Sequence, residues 1–89
     1  MIRFDPWLRE WSQQNVPAID KAIVSLMGLH VARGHDALSV SQIAGSTRSS
    51  TRVVTRALSA AQRLGFLHVI REARGGKGRT WALSLPQGA

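Results

Sequence analysis

Residues 17–33, PAIDKAIVSLMGLHVAR, repeat their apolar side chains at helical spacing and leave almost no polar side. Ile19, Ala22, Ile23, Leu26, Leu29 and His30 make one stripe, and Val24, Met27 and Val31 make a second patch beside it. Lys21, Ser25, Gly28 and Ala32 are what remains as a weak face. A helix this apolar is buried on more than one side. Any fold the chain adopts must wrap this segment, with Gly34 as its C-terminal stop.

The cover has to come from little material. The chain has 89 residues, enough for one small domain, and no cysteine to staple it. The lack of cysteine also removes thiolate zinc sites, redox pairs and a cysteine nucleophile, and it suits a reducing compartment. Apolar residues reach 44%, normal for a globular domain and too many for a disordered tail. No apolar run approaches the ~20 residues of a membrane span. The first residues, MIRFDPWLRE, carry charge throughout and lack the apolar stretch of a signal peptide, so none is expected. The nearest cover is FDPWLREWSQQ, residues 4–14. Asp5 is expected to cap a short helix with Pro6 at its first position. Trp7, Leu8 and Trp11 share one side of it, and are the candidates for docking onto the 17–33 helix or for a dimer contact. So short a helix does not hold alone in water.

Charge is divided unevenly. Up to residue 37, Arg3, Arg9, Lys21 and Arg33 balance Asp5, Glu10, Asp20 and Asp36. Beyond it, Arg48, Arg52, Arg56, Arg63, Arg71, Arg74, Lys77 and Arg79 face Glu72 alone, so the whole net charge of +7 sits in the second half. A neutral scaffold carrying a basic face is the footprint of polyanion binding. Arginine predominates, and its planar fork suits phosphate and guanine edges.

Three further segments follow. LSVSQIAG, from Leu38, contains Ser39-Val40-Ser41-Gln42, a capping-box pattern, and predicts a short helix from about Val40 to Gly45 with Ile43 and Ala44 inward. After the polar turn Ser46-Thr47-Arg48, Ser49 or Ser50 is expected to cap a helix that runs to Leu64 and ends at Gly65. On it Val54, Leu58 and Ala61 gather on one side, and Arg52, Arg56, Ser59 and Arg63 on the other, with no acidic residue. Finally FLHVIRE and TWALSL flank the Gly-rich ARGGKGR and read as a hairpin with Trp81 on its core side. Pro86 is expected to stop its second strand, and residues 87–89 to fray.

The order helix, capped short helix, tight polar turn, basic helix and basic-tipped hairpin resembles the winged helix-turn-helix family. The residues carrying it are LSVSQIAG, SSTRVVTRAL and the RLGF junction into the hairpin. The resemblance implies a mainly α fold with a small β-hairpin: a three-helix core plus wing over residues 15–86, an extra N-terminal helix within 1–14, and a tail at 87–89. It departs from the family at Arg48, where Gly is usual, at Ser49, usually apolar, and at Ala61, where a larger Leu is common. A different turn shape, and a Trp filling the core beneath Ala61, are therefore expected.

The resemblance also implies a docking mode. A helix fits the major groove of duplex DNA, and the N-terminal part of a recognition helix reaches base edges. Here Ser50, Thr51, Arg52, Thr55 and Arg56 are the expected base contacts, and Arg48, Ser49, Ser59 and Arg63 the phosphate contacts. Arg74, Lys77 and Arg79 would grip phosphates or the minor groove from the wing. The function expected is sequence-specific binding of double-stranded DNA, as a small transcriptional regulator acting as a repressor and a homodimer, in the cytoplasm and on the nucleoid. Plasmid or phage replication, partition or recombination is the alternative setting. An RNA- or protein-binding winged helix ranks lower, because the basic face lacks aromatics for base stacking. His30, His35 and His68 contain no i,i+4 pair, the carboxylates are scattered, and GGKG lacks Walker spacing. No enzyme activity, metal, cofactor or membrane partner is expected.

Overall fold

A computed structural model describes residues 2–72 and 78–86. Four helices, α1 (Phe4–Ser12), α2 (Ala18–Ala32), α3 (Val40–Thr47) and α4 (Thr51–Arg63), are joined by β1 (Ala37–Leu38), β2 (Leu67–Arg71) and β3 (Arg79–Leu83). The strands form one antiparallel sheet in the order β1-β3-β2. The fold is thus mixed α and β, and the expected hairpin is two strands of a three-stranded sheet. A two-residue strand has no periodicity, so nothing in the sequence marked β1. Its pairings are Ala37 with Thr80 and Leu38 with Arg79. The sequence around 73–77 and 87–89 lies outside the described residues.

α2 is covered by α4 on one side and by α1 on another. Trp7 and Trp11 have no exposed surface, and both indole N–H groups are satisfied. Trp7 donates to the Phe66 carbonyl at 2.8 Å and Trp11 to the Lys21 carbonyl at 3.1 Å. Phe66 meets the Trp11 ring edge-on at a centroid distance of 5.2 Å. Each indole removes roughly 150–250 Å² from water, about 4–6 kcal/mol before entropy is counted. Ala61 is fully buried in the same apolar cluster as the two indoles. Trp7 and Trp11 therefore dock within the chain and leave no surface for a dimer contact; Leu8 is half-buried.

The buried side of α2 differs from the expected stripe. Asp20, Ile23, Val24, Met27 and Gly28 are buried. Ile19 is 48% exposed and Ala22 is exposed, while Leu26, Leu29 and His30 are half-buried. Gly28, assigned by sequence to the weak face, is in fact the seat of α1, because a Cβ there would strike the Trp7 ring. Periodicity identified two apolar faces but not which one the tryptophans would choose.

Helix ends follow the local chemistry with small shifts. α1 begins at Phe4, so Asp5 and Pro6 lie inside its first turn and Arg3 is the N-cap. Pro6 is tolerated there because first-turn N–H groups have no helical partner. The capping box of α3 is complete: Gln42 N–H donates to Ser39 Oγ and Ser39 N–H to Gln42 Oε1. That helix runs on to Thr47, two residues beyond the expected Gly45. Gly65 adopts φ +89 at the corner after α4. β3 ends at Leu83, before Pro86, and Ser84 returns to the corner through Oγ to the Gly65 carbonyl at 2.7 Å. Gly28→Ala is expected to lower unfolding free energy by about 1–3 kcal/mol through overpacking, despite the ~1 kcal/mol that Ala brings to a helix interior. Urea titration read by tryptophan fluorescence measures this; unchanged stability would show that the indole does not need that seat.

Candidate nucleic-acid interface

α4 has two faces. Val54, Ala57, Leu58, Ala60 and Ala61 are buried, and Thr51, Arg52, Thr55, Arg56, Ser59, Gln62 and Arg63 are exposed. Alanines at 57, 60 and 61 let the helix sit close to the core, and the long polar side chains point outward. Ser50 is the N-cap, its Oγ accepting the Val53 N–H at 3.2 Å. That hydroxyl is occupied by the helix it starts, although the residue itself stays exposed.

The turn into α4 is set by Arg48. Its φ of 55 and ψ of 37 are left-handed, and it is the one non-glycine residue with positive φ among the described residues. Glycine is the usual residue at such a helix C-terminus. Here an arginine takes that left-handed backbone in place of glycine. Ser49 N–H donates to the Ala44 carbonyl at 3.0 Å, closing the turn. Arg48 is exposed, Ser49 half-buried. An arginine in this conformation carries backbone strain that a glycine would not.

One expected contact residue is already engaged. Arg56 Nη2 lies 2.6 Å from Asp20 Oδ1 on α2. The Asp20 side chain is 3% exposed and that of Arg56 55%. The hydrogen bond to Asp20, then its charge, raises the guanidinium above its ordinary value, so Arg56 stays cationic at any working pH. Sequence reading passed over Asp20. The signal was there: on a helical wheel it falls between Val24 and Met27, a carboxylate inside the apolar arc. Arg48, Arg52 and Arg63 form no ion pair with another described residue.

At the sheet, Arg79 Nε pairs with Glu72 Oε2 at 3.1 Å, both side chains being at least half exposed. Such surface pairs contribute less than about 1 kcal/mol and open readily. Arg74 and Lys77 lie outside the described residues. β2 and β3 shift register between Val69 and Arg71, and Ile70 is left 59% exposed. Trp81 is buried, its indole donating to the Leu38 carbonyl at 3.2 Å. Among the described residues, no three His, Asp or Glu side chains gather as a metal site, and no helix is long and apolar enough to cross a membrane.

No family model matches the chain, and neither a search of curated proteins nor one of solved structures finds a match. Arg48→Gly is expected to raise stability by about 0.5–1 kcal/mol. Relief of about 1–2 kcal/mol of left-handed strain exceeds the roughly 0.4–1 kcal/mol of added chain entropy in the unfolded state. A shift of the urea midpoint at constant slope measures it, and a fall in the midpoint would refute the strain argument.

Proposed function

We propose that the chain is a winged helix-turn-helix protein that binds double-stranded DNA in a sequence-specific way, most simply as a transcriptional repressor. The observation that carries this reading is the outer face of α4. It presents Arg52, Arg56 and Arg63 with Thr51, Thr55 and Ser59, and no acidic side chain, on a helix whose other face is anchored in the core. A free helix of this kind fits the major groove. The order of α2, β1, α3, α4, β2 and β3, with β3 central in the sheet, supports assigning α4 as the recognition helix and the β2–β3 hairpin as the wing.

In this reading Arg52 and Arg56 approach base edges with Thr51 and Thr55, while Arg48, Ser49, Ser59 and Arg63 meet phosphates. Ser50 acts chiefly as the cap, through its hydroxyl. Arg79 joins the wing contacts by leaving Glu72. A module this small buries little DNA surface, so two copies on a two-fold site are proposed. The outward stripe of α2, with Ile19 and Ala22 exposed beside Leu26 and Leu29, is the apolar surface that supports self-association.

The test is selection of bound duplexes from a randomised pool at stated salt. The reading requires an enriched sequence, and a two-fold one if the copies pair. Direct tandem repeats would favour a replication or partition role over an operator. If each copy neutralises ~4 phosphates, log K falls against log[salt] with a slope of about −3.6 per copy. Arg52→Ala should relax preference at one base pair at a cost of about 1–3 kcal/mol. Arg63→Ala should weaken all duplexes alike and make the salt slope shallower by about 1. Identical behaviour of the two variants would show that base reading and phosphate gripping are not divided in this way.

A further inference from the structure

We infer that Asp20 is a positioning residue that holds Arg56 as a preformed base-reading fork. The inference rests on the DNA-binding reading above. Asp20 stands in the first turn of α2, and Arg56 one turn into α4 beyond Arg52, 36 residues away in sequence. The two ends of the pair have opposite surroundings. The Asp20 side chain is 3% exposed, while that of Arg56 is 55% exposed on the open face. The buried group thus grips the exposed one, and only one of its arms.

Stability is a poor reason for this arrangement. A buried carboxylate loses its hydration, and its partner here is more than half exposed, so water screens the attraction that would offset that loss. Position 20 has the buried Ile23 and Val24 at i+3 and i+4 on its own helix, where an aliphatic residue would pack. What an aliphatic residue cannot do is direct Arg56. A free arginine on a helix surface samples many rotamers and loses that freedom when it binds. Held through Nη2 on Oδ1, Arg56 keeps its remaining N–H groups for a bidentate contact with guanine O6 and N7. Arg52, one turn earlier, has no such partner among the described residues.

The carboxylate also makes a prediction of opposite sign for non-specific binding. A negative charge beneath the interface opposes a phosphate backbone, so its removal leaves general affinity unchanged or raises it. The experiment compares wild type, Asp20→Asn, Arg56→Ala and the double variant. The probes are the duplex enriched by the wild-type chain and an unrelated duplex of equal length, with folding checked by circular dichroism. Asp20→Asn is expected to weaken the enriched duplex about tenfold and to bind the unrelated one as tightly as wild type or tighter. It should lose preference at the base position that Arg56→Ala loses, and add nothing to Arg56→Ala. An equal fall on both duplexes would mark Asp20 as purely structural, and an unchanged preference would overturn its role as well. If Asp20→Asn does not fold, Asp20→Ser is read by the same criteria. A wild-type chain that enriches no sequence refutes the DNA reading and this role with it. A wild type that enriches a sequence, with Asp20→Asn keeping the full preference, refutes the positioning role alone.

Discussion

The indole of Trp7 pressed onto Gly28 is the contact on which the arrangement of this small chain depends. The missing side chain at 28 lets α1 lie directly on α2, and the indole N–H then reaches past it to the Phe66 carbonyl at the corner between α4 and β2. One side chain thereby ties the first helix, the central helix and the start of the sheet. Trp11 and Phe66 complete the joint edge to face. A chain of this length without disulfides has few other ways to hold a core.

With α2 clamped from one side, α4 is packed against the core through small residues, and its charged face is left open. That division is what a groove-binding helix needs: rigid beneath, cationic and hydrogen-bonding above. Two local features refine it. Arg48 takes a left-handed turn that glycine would take more cheaply, which places a cation just ahead of the helix. Asp20 reaches from the core to the edge of the open face and restrains Arg56. Both features run against local economy, in backbone strain and in carboxylate desolvation, and both involve an arginine of the proposed interface.

Much of this was legible in the residues. The capping box at Ser39 and Gln42, the Ser50 cap, the glycine corner at 65 and the two faces of α4 follow from side-chain chemistry acting within a few residues, and the structure has them all. The inward assignment of Val54, Leu58, Ala61 and Trp81 follows from periodicity and also holds. The larger differences have another cause. β1 exists only because β3 comes alongside it. The buried side of α2 was chosen by where the tryptophans lie, and Gly28 reads as a weak position until Trp7 occupies its surface.

Local sequence was therefore sufficient for the presence of the helices, the caps at Ser39 and Ser50 and the segregation of charge onto the second half, since these depend on spacing, capping atoms and composition alone. Tertiary structure decided which apolar face of α2 is core, that a third strand completes the sheet, and that Arg56 answers to Asp20. Each of those is a contact between residues distant in the chain, and pairing across such distances is set by how whole elements pack. No window of neighbouring residues contains that information.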